Sequence, residues 1–139
     1  KILARDHVTD MGFARENNIN YVHLDELLKE SDIVTLHLPL DNDTKGLFNR
    51  NHFLKMKDGA IFINTSRGKI VDEDDLYDVL REGKIAHACL DVYRNEPYTG
   101  KLKKLDNVTL TCHVGSYAKE ARMKMEEQAV ENLLKGLGE

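Results

Sequence analysis

Short apolar runs and amphipathic stretches alternate along most of the chain. The clearest case spans Ala60 to Pro97, where Ala60-Ile61-Phe62-Ile63 and Ala86-His87-Ala88-Cys89-Leu90 read as two buried strands. Between them Leu76, Val79 and Leu80 recur on one helical face, with Asp72 placed to cap the helix and Gly83 to end it. Strand, helix and strand in that order is the sequence form of a parallel βαβ unit. Upstream, Lys1 to Arg5 reads as a strand, and Thr9 or Asp10 can cap a short helix through Glu16. Tyr21-Val22 is a minimal strand, and Asp25 is placed to cap LDELLKE, which stops at Ser31. The run from Asp32 to Leu40 is the strongest strand. Its apolar residues do not strictly alternate, which predicts cover on both faces, and Pro39 stops it. Arg50 to Lys57 carries Phe53, Leu54 and Met56 on one helical face. Downstream, Tyr98 to Asn107 is a polar, lysine-rich loop and Val108 to Cys112 a last strand. The spacing of Ala118, Ala121, Met125, Ala129, Leu133 and Leu137 then predicts a long terminal helix with one apolar stripe. About six strands alternating with five or six helices predict an α/β fold, a doubly wound parallel sheet.

Composition narrows the possible ligands. A chain of 139 residues, 41% apolar and 32% charged, suits one soluble domain with a real core. A net charge of -4 without a basic stripe argues against nucleic acid and for a small molecule as partner. No apolar run approaches the roughly 20 residues of a membrane span, and the opening KILARDH has no signal-peptide core, so a cytoplasmic protein with no membrane partner is expected. Cys89 and Cys112 are expected as free buried thiols. His7, His23, His37, His52 and His87 show no ligand spacing with the cysteines or each other, so no metal site is expected.

Arg67, Glu96 and His113 each follow a different strand, at the carboxyl edge where open parallel sheets bind their ligands. An arginine grips a carboxylate bidentately, a histidine shuttles one proton near neutral pH, and a neighbouring carboxylate favours the imidazolium. Together they suit a 2-oxo or 2-hydroxy acid. Each also has a structural reading: a turn residue, an exposed acid before Pro97, a strand-end histidine. Spacing alone leaves both open. A nucleophilic Cys112–His113 pair is disfavoured, because adjacent strand residues point to opposite faces.

The strings themselves say more. NTSRGKIVDEDDL around Arg67, LDVYRNEP around Glu96 and TCHVGSYAKEA around His113 resemble, in order and separation, three motifs of the D-isomer-specific 2-hydroxyacid dehydrogenases. SDIVTLHLPLDNDTKGLFN, from Ser31 to Asn49, resembles the strand and loop that precede them, and phosphoglycerate dehydrogenase-like members are particularly similar. The resemblance implies a Rossmann-type NAD-binding domain and an oxidoreductase. Arg67 would bind the substrate carboxylate and orient its carbonyl, His113 would exchange the hydroxyl proton, and Glu96 would orient His113 and favour its charged form. Asp6 would accept the adenosine ribose hydroxyls and so select NAD over NADP, although Arg5 beside it can accommodate a 2′-phosphate. Leu38, Thr65, Ser66, Arg67, Asp91, His113, Gly115 and Ser116 would line the cofactor, several through backbone atoms. Asp91 is expected near the nicotinamide carboxamide and Gly115-Ser116 beside the ring. A homodimer is also implied. Cys112 departs from the many relatives with proline before the histidine.

No G-x-G-x-x-G occurs in the chain, so the family's glycine-rich turn, which holds the pyrophosphate at a helix N-terminus, is lacking. The resemblance therefore implies that residues 1–139 form the later part of a dinucleotide-binding domain, without its first strand and without the substrate domain. In the family's sheet order Lys1 to Arg5 and Ile33 to Leu38 flank that first strand. These two are accordingly expected roughly 10 Å apart and not hydrogen-bonded to each other. A non-catalytic fragment, serving for dimerisation or binding, is the alternative. A response-regulator-like or flavodoxin-like domain would need an acidic phosphorylation pocket or a flavin loop, and the sequence has neither.

Overall fold

Strands and helices alternate as the patterning requires. A computed structural model describes residues 1–138 in the order β1 (Ile2–Ala4), α1 (Met11–Glu16), β2 (Ile19–Tyr21), α2 (Leu24–Glu30), β3 (Ile33–Leu36), α3 (Arg50–Lys55), β4 (Ala60–Asn64), α4 (Glu73–Arg81), β5 (Ile85–Leu90), β6 (Val108–Leu110) and α5 (Lys119–Leu137). Single 3₁₀ turns occupy Gly68–Ile70 and Lys101–Lys104. Strands β3, β4, β5 and β6 form one parallel sheet in chain order, and β1 and β2 form a separate parallel pair. As expected, β1 and β3 are not hydrogen-bonded. Between them lies a cavity of about 460 Å³ walled by Leu3, Leu24, Val34, Leu36 and Phe48, among others. Among the described residues, no helix is long and apolar enough to cross a membrane.

The core lies where α2, α3 and α4 cover the four-stranded sheet. Phe48, Phe53 and Phe62 meet there, with Phe53 edge-on to Phe62 at 5.2 Å between ring centroids. The face of α4 formed by Leu76, Val79 and Leu80 is buried, and the Asp72 side chain accepts from the Asp74 and Asp75 N–H groups, the capping its position predicts. Asp10 likewise caps α1.

Several expectations change. α2 starts at Leu24 with His23 in the cap position and no side-chain cap bond, because Leu24, Leu27 and Leu28 must all reach the core; Asp25 falls in the first turn and pairs with Lys55 at 2.7 Å. The strand expected to reach Leu40 ends at Leu36. Its residues alternate, Val34 and Leu36 buried, Ile33 and Thr35 exposed, so one face is uncovered where two-sided cover was expected. Leu54 is exposed, a quarter-turn off the Phe53 face. Cys89 is half-buried and Cys112, beyond the end of β6, is exposed, so neither is the buried thiol expected. Leu102, inside the lysine-rich loop, is fully buried and anchors that loop to the core. The stripe of α5 stays exposed along the whole helix.

This architecture matters for the site because all strands of the main sheet run the same way. The residues after β3, β4, β5 and β6 therefore gather at one edge.

Candidate active site

Two turns at that edge are tied by a side chain at or just past a strand end. β4 ends in Asn64, which is 1% exposed. Its Oδ1 accepts the Ser66 N–H at 3.0 Å and the Ser66 hydroxyl at 2.9 Å, and its Nδ2 donates to the Arg67 carbonyl at 3.1 Å. An asparagine satisfied on both ends of its amide fixes the Thr65–Arg67 turn and presents Arg67 to solvent. Ser66 is buried with its hydroxyl spent on Asn64, whereas Thr65 is exposed. The Arg67 guanidinium donates once, to the Ser66 carbonyl at 2.7 Å, leaving most of its fork available.

Directly after β5 comes Asp91, which is 7% exposed. Its Oδ1 accepts the Thr111 hydroxyl and the Val114 N–H (2.9 Å), and its Oδ2 accepts the Gly115 N–H (2.9 Å). Burial alone would raise this carboxyl, but the bonds from Thr111, Val114 and Gly115 outweigh it and hold Asp91 below the ordinary carboxylate range. The turn they clamp carries His113 at φ 56°, a left-handed conformation uncommon outside glycine although histidine enters it more readily than most residues. Gly115 is exposed and Ser116 half-buried beside it.

Glu96 closes the arrangement. One oxygen accepts the Tyr93 N–H at 3.0 Å and the other faces His113 Nδ1 at 2.9 Å. The hydrogen bond with His113, reinforced by the Tyr93 N–H, lowers the Glu96 carboxyl from its usual value. With Nδ1 engaged by a carboxylate, Nε2 is the ring atom left for a ligand. The Tyr93 hydroxyl, with one proton to donate, lies within reach of the Leu90 carbonyl at 2.9 Å and the Thr111 carbonyl at 2.7 Å. Burial, with the Asp91 charge nearby, raises that hydroxyl to about 12, so it stays a donor across the working pH range.

Arg67, Glu96 and His113 line one cavity of about 160 Å³ with Leu40, Gly68 and Val92. The three residues singled out from the sequence are thus brought together. Asp6 and Leu38 are not in this cavity. They line the larger one between β1 and β3, and segment 37–40 separates the two, with Leu38 on one and Leu40 on the other. The Asp6 carboxylate accepts the His7 N–H at 2.6 Å and stays exposed, and Arg5 donates to the Asp6 carbonyl. Asn64, Gly68 and Tyr93 went unread in the sequence. Only the polar string NTSR directly after an apolar run hinted at Asn64.

The profile of the D-isomer specific 2-hydroxyacid dehydrogenase NAD-binding domain matches residues 1–115. This chain belongs to that family. A glyoxylate reductase from Korarchaeum cryptofilum is 43% identical over 136 residues, 96% of this chain and 41% of that protein. A D-3-phosphoglycerate dehydrogenase from Archaeoglobus fulgidus is 40% identical, over 98% of this chain and 27% of the other. Among solved structures, the holo form of Rhodotorula graminis D-mandelate dehydrogenase superposes with a TM-score of 0.90 at 32% identity, over 97% of this chain and 40% of that one. Aquifex aeolicus D-lactate dehydrogenase, complexed with NAD and lactic acid, gives 0.85 at 32%, over 99% and 46%. The chain thus spans less than half the length of each of these relatives. The 2-hydroxyacid dehydrogenase domain seen here is an NAD-binding α/β domain. Its residues fit that cofactor at the carboxyl edge: the exposed Asp6 carboxylate lies beyond the end of β1, Leu38 lies beyond the end of β3, and the charged cavity lies just across segment 37–40.

Proposed function

We propose that the protein carrying this chain is an NAD-dependent dehydrogenase that interconverts short 2-oxo acids and D-2-hydroxy acids. The observation that carries the reading is the Glu96–His113 pair at 2.9 Å in the same cavity as Arg67. The planar Arg67 fork binds the substrate carboxylate and, from there, sets the position of the carbonyl. Glu96 holds His113 through Nδ1, so Nε2 gives its proton to the carbonyl oxygen during reduction and takes the hydroxyl proton during oxidation. Bound NAD supplies the hydride chemistry. Asp6, Leu38, Thr65, the Ser66 backbone, Asp91, Gly115 and Ser116 are the residues proposed to hold it, with Asp6 at the adenosine ribose. The cavity holding Arg67, Glu96 and His113 is also lined by Leu40, Lys69 and Val92. Residues 1–139 are proposed as the later part of the cofactor domain, with substrate selectivity shared by another domain of a dimeric enzyme.

The test is NADH oxidation by the full-length protein with glyoxylate, hydroxypyruvate, 3-phosphohydroxypyruvate and pyruvate. Turnover with at least one, abolished by His113→Ala, is expected. No turnover with any of them by folded, NADH-binding protein would refute the reading.

A further inference from the structure

The spacing between Arg67 and His113 is set by a joint between two turns that lies outside the reacting groups. Gly68 follows Arg67 and sits flat against the backbone of Tyr93. A methyl group built on it would lie 1.9 Å from the Tyr93 carbonyl carbon and 2.1 Å from its oxygen. These are main-chain atoms, which cannot rotate aside. The same Tyr93 donates its N–H to Glu96, which holds His113. One residue on, the Arg94 N–H donates to the Glu73 carboxylate at the start of α4, the helix that follows directly on the Gly68–Ile70 turn. The Tyr93–Glu96 turn is therefore fastened to the Arg67 side of the site by a close backbone approach at Gly68 and a hydrogen bond at Glu73.

We infer that Gly68 and Glu73 are positioning residues that fix the distance from the carboxylate-binding arginine to the proton-exchanging histidine. The inference rests on the function proposed above. A substrate held by Arg67 presents its carbonyl to His113 Nε2 only while the two turns keep their separation. A side chain at position 68 must push them apart by roughly 1 Å, a displacement of the size that costs about 100-fold in rate.

The experiment uses the full-length protein with Gly68→Ala, Glu73→Ala and Glu73→Gln, and Gly136→Ala as a control, since nothing lies within 4 Å of a methyl group at that helix position. Gly68→Ala should lower kcat/KM for glyoxylate about 100-fold and Glu73→Ala about 10-fold, with the Kd for NADH, read by fluorescence, unchanged within about twofold. Glu73→Gln keeps an acceptor for the Arg94 N–H and should retain activity within about threefold. Hydrogen exchange in the peptide containing Arg94 gives a readout that does not depend on turnover. It should speed up in Glu73→Ala and stay slow in Glu73→Gln. If Gly68→Ala does not fold, the Glu73 pair decides. Equal activity and equal exchange in Glu73→Ala and the parent would overturn the inference, as would parallel loss of NADH and glyoxylate binding. A parent that never turns over would refute the proposed function alone, and the exchange measurement would still judge the joint.

Discussion

Replacing Asp91 with asparagine changes one atom and tests how His113 is held. The carboxylate accepts from Thr111, Val114 and Gly115 at once. Asparagine can keep Oδ1 on Thr111 and Val114, but its NH₂ then faces the Gly115 N–H where an acceptor stood at 2.9 Å. One bond to a charged group is lost, worth about 1.5–3 kcal/mol, and the other two fall from charge-assisted to neutral strength. Part of this is recovered by water, because the 111–115 turn is exposed. We expect a net loss of about 2 kcal/mol, or roughly 8 °C in melting temperature for a domain of this size. The rate should suffer more than the stability. The left-handed backbone of His113 costs on the order of 1–3 kcal/mol to maintain. With the clamp weakened the turn relaxes, the ring leaves Glu96, and kcat should fall about 100-fold. The sign of the pH dependence follows from the lowered Asp91 carboxyl. Its contribution is full above the ordinary value near 3.8 and is lost as pH falls through the depressed folded-state value. The stability difference between parent and Asp91→Asn should therefore shrink in strong acid. Calorimetry from pH 7 to pH 2 and steady-state kinetics check this, with Thr111→Val, which removes a single bond, expected to lose about 1 kcal/mol. A melting temperature within one degree of the parent, with kcat within about threefold, would show that Asp91 does not position the histidine.

Arg67→Lys should leave less than about 1% of kcat/KM, because an ammonium cannot form the two parallel bonds of the guanidinium fork; substantial activity would remove Arg67 from the carboxylate site. Glu96→Gln should lower kcat for oxo-acid reduction about 10-fold, because the amide replaces the carboxylate that holds His113 Nδ1 at 2.9 Å, and an unchanged kcat would remove Glu96 from the relay. Because the His113 bond lowers the Glu96 carboxyl, the Tyr93–Glu96–His113 link is intact above the ordinary value of 4.5 and lost as pH falls through the depressed one. Asp6→Ser should raise kcat/KM with NADPH relative to NADH by about 10-fold, since removal of the acid leaves Arg5 to meet a 2′-phosphate; an unchanged ratio would place cofactor choice elsewhere.

The residues legible in the sequence were those whose position follows from where a strand ends. Arg67, Glu96 and His113 each come after an apolar run in a βα alternation, and parallel strands can only deliver them to one edge. α4 was legible because its apolar spacing, its Asp72 cap and Gly83 agree. What remained hidden depends on contacts across the fold. Ile33 reads as a core residue, and only the placement of the helices over the Val34–Leu36 face leaves it and Thr35 uncovered. Asp25 looks like a better cap than His23, yet burial of Leu24 moves the helix start. Gly68 looks like an ordinary turn glycine until Tyr93 is placed against it, and Leu102 is hidden by the lysines around it. Asn64 and Asp91 look like routine strand-end polar residues, although each organises a whole turn.

The clamp at Asp91 grips main-chain N–H groups at positions 114 and 115, and it asks nothing of the side chain at 114, whereas a methyl group at 115 would meet Asp91 Oδ2 at 3.2 Å. Beside the glycine, a turn held in this way is indifferent to its local spelling. Cys112 and Val114 flank His113, yet both are exposed. In a saturation library their substitutions should be among the best tolerated near the site, proline at 114 excepted because it lacks the N–H. Intolerance should instead concentrate at Asp91, remote in sequence from the histidine it serves.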